Sequence, residues 1–223
     1  MALALFDMDD TLLDGDSASL WFEYMVEHGM APASMLAEEA QMMARYYAGE
    51  LDMRDYMTFT LQPLAGQPVA TIAGHCERFA REIIGRMFID GLEKIRWHRA
   101  RGDTVIIISA TGEHVIRPLA ALLGVEHVLA IKLAREEGCY TGQTTGVLTF
   151  REGKVTRTHD WLQQHGGTLA GSYGYSDSIN DLPLLEMVTH AHAINPGEAL
   201  QQHANHAGWP ILRWHEVSGD QRA

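Results

Sequence analysis

The stretch MALALFDMDDTLLDGDS, residues 1–17, decides how this chain is read. Ala2–Phe6 is a short apolar run of the kind that forms a fully buried strand in a parallel sheet. Five carboxylates follow within ten residues: Asp7, Asp9, Asp10, Asp14 and Asp16. Carboxylates this close repel one another unless a cation or a reaction needs them. A calcium loop beginning at Asp7 would put Leu12 at the turn glycine and Ala18 at the bidentate glutamate, and one beginning at Asp10 would put Trp21 there. Neither register can hold calcium. Asp14 and Asp16 also suit the start of a helix, where the macrodipole favours negative charge.

Beyond this stretch the pattern turns helical and rich in Ala, Met and Glu, from about Ser17 to Arg86. Ser17 is the expected cap of a helix that stops at Gly29. Further helices fit Pro32–Ala48, Met53–Leu61 and Val69–Ile84, the last two split by the LAGQP break. The block carries no strand signal and reads as an all-helical insertion of roughly 70 residues. From residue 91 onward strand and helix alternate. GLEKIRWHRARG (91–102) is an amphipathic helix and TVIIIS (104–109) a β-branched strand. His114–Leu123 reads as helix, 127–133 as strand, 136–150 as a β-hairpin excursion and Lys154–His165 as helix. Leu169–Tyr175 is the next expected strand, Asn180–Met187 a helix, 190–194 a strand, 198–207 a helix and 210–212 a last strand. Such alternation gives an α/β fold with a doubly wound parallel sheet, whose ligands bind at the carboxyl ends of the strands. The expected division is a Rossmann-like core of residues 1–15 and 88–223 with a helical cap of 16–87 inserted. Hinges are expected near Leu13–Asp16 and Arg86–Gly91, with Gly15 and Gly91 supplying permissive backbone.

The bulk numbers narrow the class. The 223 residues suit one domain, or one with a smaller insertion, and 46% are hydrophobic, enough for an ordinary core. A formal charge of −12 argues against nucleic acid and anionic membranes as partners. An anionic substrate then needs a local positive site: a metal, a lysine or helix N-termini. Cys76 and Cys139 lack metal or redox spacing, which fits free thiols in a reducing cytoplasm. The chain reaches Asp7 too soon for a signal peptide and holds no apolar run long enough to span a bilayer. None of the twelve histidines has zinc-ligand spacing, and His190 and His192 read as packing or surface residues.

Strand ends carry the chemistry. The first ends in Asp7-Met8-Asp9-Asp10-Thr11, the second in Ser109-Ala110-Thr111, and GYSDSIND places Asp177, Asn180 and Asp181 just past a third. Lys154 opens the helix before it. Acidic groups, a hydroxyl and a lysine on one sheet edge suit phosphoryl transfer. Carboxylate oxygens hold Mg²⁺, and a carboxylate can attack phosphorus. A second carboxylate two residues on can protonate the leaving oxygen and then activate water, while lysine and metal offset charge on the transferring group.

In order and spacing together, DMDDT, IIIS, EGK and YSDSIND resemble the four motifs of the haloacid dehalogenase superfamily of phosphohydrolases. The insertion after the first motif is similar to the subgroup that includes phosphoserine phosphatase. The resemblance implies Asp7 as nucleophile and Asp9 as general acid/base, the residue that dehalogenases of the superfamily lack. It implies Mg²⁺ held by the Asp7 side chain, the Asp9 carbonyl and Asp177, with Asp181 in support. Phosphate would meet Ser109, Ala110, Lys154, Asn180 and backbone N–H groups after Asp7, as far as Asp10.

The same resemblance makes Asp16 the reader of an amine on the leaving alcohol. The arginine that binds the substrate carboxylate in phosphoserine phosphatase has no counterpart near Thr58 or Thr60, and Arg54 is out of register. The expected substrate is therefore a small amino-alcohol phosphate such as L-histidinol phosphate, with phosphoserine as the alternative. Trp21, Tyr46, Tyr47, Tyr56 and Phe59 are candidates for an aromatic wall against an imidazole, Trp21 and Tyr56 foremost, although aromatics at helical spacing commonly serve the core. The expected setting is a cytoplasmic monomer or homodimer acting on a small-molecule phosphate ester. A phosphotransferase, a lipid-phosphate phosphatase and a phosphoaspartate signalling or binding protein are the rival readings. A receiver domain is shorter, carries its phosphoaspartate on a later strand and lacks such an insertion.

Overall fold

The computed structural model describes residues 2–47 and 50–215. β1 (Leu3–Phe6) is buried along its whole length and lies at the centre of a seven-stranded sheet. The other strands are β2 (Thr104–Gly112), β3 (His127–Glu136), β4 (Cys139–Thr145), β5 (Tyr173–Ser176), β6 (His190–Ile194) and β7 (Ile211–Leu212), in the order β4-β3-β2-β1-β5-β6-β7. All neighbours run parallel except β3 and β4, which form a hairpin. Its two-residue turn, Glu137-Gly138, has φ of 48° and 80°, the left-handed pair that matches the twist of the flanking strands.

Register fixes the site. Phe6 pairs with Ile107 on one side and Tyr175 on the other. The next residue, Asp7, therefore leaves the sheet level with the ends of β2 and β5, and its N–H donates to Tyr175 O at 3.0 Å. Two sheet-side helices bear directly on the chemistry: α6 (Glu113–Leu122) follows β2 without a break, and α7 (Glu152–His165) precedes β5.

Between β1 and β2 lie α1 (Ser17–Glu27), α2 (Met35–Tyr47), α3 (Met53–Thr60), α4 (Val69–Ile83) and α5 (Ile89–Ala100). α4 packs on α6, α3 on β4, and α1 on both α6 and β2. Phe6, Met8 and Leu12 share one buried cluster with Trp21, Phe22, Tyr56 and Met57, so the inserted helices and the sheet have a common core. The two crossings between them form one paired ribbon: Asp14 N–H donates to Arg86 O and Phe88 N–H to Leu12 O, both at 2.9 Å. Residues 66–69 add a further short pairing along β4, through Gly66 N–H to Tyr140 O at 2.8 Å and Val69 N–H to Gly138 O at 2.9 Å. That pairing covers a sheet edge that would otherwise be open.

Four expectations change. Asp16, not Ser17, caps α1, accepting from Ser19 N–H at 2.7 Å; Ser17 is already in the first turn. The strand expected at Leu169–Tyr175 is β5 alone, because residues 169–172 turn, with Ser172 N–H on Leu169 O and Gly171 at φ 70°. α2 begins at Met35 rather than Pro32, whose carbonyl accepts from the Met35 N–H. Gly91, expected to supply loose backbone at a crossing, sits inside α5, where an added Cβ would come within 2.9 Å of Trp214 and 3.0 Å of Leu12.

Candidate active site

A cavity of about 750 Å³ opens where the sheet ends meet the inserted helices. Asp7, Asp9, Asp10, Asp16, Trp21, Tyr56, Ala110, Lys154, Asp177, Asn180 and Asp181 all line it. Ser109 does not; it is fully buried beneath the wall.

Lys154, in the first turn of α7, is buried and bridges two strand ends. Its Nζ lies 2.8 Å from Asp7 Oδ1 and 2.6 Å from Asp181 Oδ2. Ser176 Oγ donates to the same Asp181 oxygen at 2.7 Å. Asp181 thus lines the cavity with its Oδ2 already committed to the lysine and the serine. Burial works against the Lys154 ammonium, yet the charges of Asp181 and Asp7 outweigh it and hold its pKa above the ordinary lysine value.

Asp9 is anchored from three sides. Its Oδ1 accepts from Ser17 N–H at 2.7 Å, and its Oδ2 from Thr111 Oγ1 at 3.0 Å and Ser109 Oγ at 3.2 Å. Thr11 Oγ1 donates to Asp177 Oδ1 at 3.1 Å and accepts from Asp177 N–H at 3.0 Å, tying the first motif to the fourth. Asp10 takes a positive φ of 51°, and its N–H donates to Gly15 O at 3.1 Å, so in this structure that donor is turned to its own loop. Asn180 Oδ1 accepts from Arg151 Nε at 3.0 Å.

Burial raises Asp7 well above the usual carboxylate range; Lys154 opposes the rise, and Asp181, Asp177 and Asp9 add to it. Burial, then the charges of Asp10 and Asp181, push Asp177 up to about 8. Burial, then Asp9, push Asp16 up to about 8. The site is short of positive charge, and a hard dication with oxygen ligands would relieve it. Among the described residues no group of three or more His, Cys, Asp or Glu side chains is arranged to hold a metal. The residues that could hold such an ion are Asp7 and Asp177, both on the cavity wall, with the Asp9 carbonyl, and water would complete the oxygen set that magnesium takes.

Several contributors were not assigned from the sequence. Thr11 and Ser176 stand inside the quoted motifs, and Thr111 directly follows Ser109-Ala110, so hydroxyls beside strand-end carboxylates were the available signal. Arg151 and Glu39 gave none. Glu39 is buried and accepts from Ser19 Oγ at 2.7 Å and Tyr56 Oη at 3.2 Å, which fixes Tyr56 in the wall. Trp21 and Tyr46 also line the cavity, whereas Phe59 is buried behind it against Phe22. The Tyr47 side chain lies outside the described residues. Arg54 is exposed and does not line the cavity; Lys154 is the one Lys or Arg among the described residues that does.

Cys76 is buried and Cys139 half-buried, both unbridged. No helix among the described residues is long and apolar enough to cross a membrane.

The sequence profile of the haloacid dehalogenase-like hydrolases matches residues 4–186. A protein named histidinol-phosphatase from Neisseria meningitidis serogroup C (strain 8013) is 35% identical over 218 residues, covering 95% of this chain and 98% of its own. The phosphoserine phosphatase SerB1 of Mycobacterium tuberculosis (strain ATCC 25618 / H37Rv) is 29% identical over 94% of this chain and 70% of its own. A crystal structure of a protein of unknown function from Bordetella pertussis Tohama I superposes with a TM-score of 0.88 at 38% identity, covering 95% of this chain and 97% of that one. The match over most of its length, on a fold that brings the four motifs to one sheet edge, means that the chain is an enzyme of the haloacid dehalogenase-like hydrolase family.

Proposed function

We propose that the protein is a Mg²⁺-dependent phosphomonoesterase for a small amino-alcohol phosphate, with L-histidinol phosphate as the substrate that fits best. One observation carries the choice of substrate. The only Lys or Arg among the described residues lining the cavity is Lys154, which already serves Asp7 and Asp181, while Asp16 stands on the wall. A substrate carboxylate would be buried there without a cation, at a cost of several kcal/mol in such surroundings, ~3–5 where a buried pair is broken. A substrate ammonium would instead meet Asp16, and its charge would draw the raised Asp16 pKa down. The name of the Neisseria relative supports the same reading.

Asp7 attacks phosphorus with a carboxylate oxygen, the bond to the leaving oxygen breaks, and Asp9 gives that oxygen its proton. Asp9, now ionised, takes a proton from water, whose oxygen attacks the aspartyl-phosphate and frees inorganic phosphate and Asp7. The anchors on Asp9 keep its carboxyl aimed through both steps. Lys154 holds Asp7 in line and offsets charge on the phosphoryl oxygens. Mg²⁺, held by Asp7, Asp177 and the Asp9 carbonyl, would supply further charge neutralisation on those oxygens. Residues 16–87 act as the cap that selects the leaving group over the core of 1–15 and 88–223.

The test is kcat/KM with Mg²⁺ for histidinol phosphate and phosphoserine, on wild type and Asp16→Asn. A preference for histidinol phosphate of about tenfold or more, lost in the variant, supports the proposal. A preference for phosphoserine overturns the substrate and points to a carboxylate-binding group elsewhere. Phosphate passed to a second alcohol in place of water would mark a phosphotransferase.

A further inference from the structure

Arg151 precedes the first turn of α7, and its carbonyl accepts the Lys154 N–H at 2.9 Å. Both side chains reach the segment after β5. Lys154 Nζ bonds Asp181, and Arg151 Nε donates to the neighbouring residue, to Asn180 Oδ1 at 3.0 Å. Asn180 lines the cavity and Arg151 does not, so what the arginine contributes there passes through the amide.

A guanidinium donates and never accepts. The Asn180 atom that faces Arg151 is therefore the amide oxygen, and the NH2 group is turned the other way. That nitrogen has no hydrogen-bond partner among the described residues, and it is not sealed from solvent, since the buried side-chain atoms without a partner belong to Trp21 and His114. Two N–H donors are thus left open on a residue of the cavity wall, next to the aspartate that holds Lys154. Without the arginine the two ends of the carboxamide are nearly the same in shape, and the group can turn over. It would then offer an oxygen to an anion where it now offers hydrogens.

The arginine is itself held in place. Its guanidinium lies 4.9 Å over the Phe150 ring, and Phe150 lies 6.0 Å from Tyr46, the α2 residue on the cavity wall. Its backbone sits at φ 49° and ψ −124°, a region that glycine adopts freely and other residues rarely. The side chain makes no capping bond to α7. Glycine would suit this turn better, so the turn alone does not account for an arginine. Strain of this kind gathers at sites that need the side chain.

We infer that Arg151 is a positioning residue for the phosphoryl group: it locks the Asn180 carboxamide with its NH2 toward the cavity, where that group donates to a phosphoryl oxygen. This rests on the reading of the cavity as a phosphomonoesterase site, and it adds to that site a residue from behind its wall.

The probe is inorganic phosphate in the presence of Mg²⁺. Its Kd is measured by titration calorimetry on wild type, Arg151→Met, Asn180→Ala and the double variant, each checked for its thermal transition, with kcat and KM for p-nitrophenyl phosphate alongside. Arg151→Met keeps the length of the side chain and loses the donor. We expect its phosphate Kd to rise about tenfold, the scale of one hydrogen bond to a charged group, and KM to rise with it while kcat changes less. In the Asn180→Ala background the same substitution should change Kd by less than about twofold, because the amide that it orients is gone. An equal loss in both backgrounds would mean that the guanidinium acts on phosphate through its own charge, and an unchanged Kd in Arg151→Met would mean that the amide needs no lock; either overturns the inference. Should Asn180→Ala fail to fold, Arg151→Gln decides, since it keeps an N–H at the Nε position and gives up the charge. Partial recovery of phosphate affinity supports positioning, and a loss equal to that of Arg151→Met overturns it. Wild type that binds phosphate and hydrolyses p-nitrophenyl phosphate, beside an Arg151→Met of unchanged Kd, would remove the inference and leave the phosphomonoesterase standing. Wild type that does neither would remove that reading and the inference with it.

Discussion

Thr111 Oγ1 donates to Asp9 Oδ2 at 3.0 Å, joining the end of β2 to the loop after β1. Ser17 Oγ donates in turn to Thr111 Oγ1 at 3.3 Å, so the first residue of α1 belongs to the same chain of hydrogen bonds. Asp9 is the proposed proton shuttle, and its aim depends on these partners. Thr111→Val keeps the shape and removes the hydroxyl. We expect kcat to fall about tenfold with a smaller change in KM, and Thr111→Ser to restore most of it. Steady-state kinetics with p-nitrophenyl phosphate decide this; equal loss in the Val and Ser variants would mean that the methyl, not the hydroxyl, matters.

Asp7 sits buried beside Lys154, with the charges of Asp181, Asp177 and Asp9 against it. Asp7→Asn removes the nucleophile and also removes a buried charge that the fold disfavours. Lys154 retains Asp181 at 2.6 Å, so the variant leaves no stranded cation. We expect turnover to fall by about 10³-fold or more. We expect the metal-free variant at pH 8 to melt no lower than metal-free wild type. A thermal melt in EDTA checks the second point, and a large drop in transition temperature would show that the Asp7–Lys154 pair stabilises more than burial costs.

The raised carboxylates also link metal, pH and stability. Asp16 and Asp177 are pushed to about 8 in the folded chain, against about 3.9 when unfolded. Between those values the folded state holds protons that the unfolded state has released. Metal-free stability therefore declines as pH rises from about 4 to about 8 and then levels off. Metal needs the ionised carboxylates, so its affinity rises over the same range. The shift in transition temperature produced by Mg²⁺ should thus be larger at pH 8.5 than at pH 6. Scanning fluorimetry with and without Mg²⁺ measures it, and a shift that shrinks with rising pH would refute the linkage.

The meeting of the proposed reacting residues at one sheet edge is legible in the sequence because their chemistry and position coincide. Asp7, Asp177 and Lys154 each stand where a strand or helix meets the sheet edge, and alternation of strand and helix alone locates that edge. The family resemblance alone puts Ser109 on the phosphate, since a serine at a strand end is otherwise commonly a turn residue; here β2 is irregular between Ile108 and Gly112, and Ser109 lies buried with its hydroxyl on Asp9. Asp16 and Ser17 were exchanged as cap because both residue types cap well, and only the loop's path decides. Trp21 was visible as an aromatic on a helix, but its unpaired N–H and its contact with His114, 93 positions away in the chain, depend on how α1 packs on α6.

Gly91 illustrates the same limit and yields a sharp test. As a flexible hinge it would tolerate alanine, which favours helix over glycine by about 1 kcal/mol, and stiffening would appear in kcat. The structure instead places it inside α5 with Trp214 Cζ3 and Leu12 Cδ2 at 2.9 Å and 3.0 Å from the missing Cβ. Trp214 and Leu12 are both buried, so neither can swing into solvent. Overpacking of this kind costs about 1–3 kcal/mol, or roughly 2–10 °C in a chain of this size. Gly91→Ala should therefore melt several degrees lower with kcat little changed, and adding Trp214→Phe, which frees space on that side, should recover part of the loss. A stabilised Gly91→Ala with slowed turnover would return Gly91 to the role of hinge.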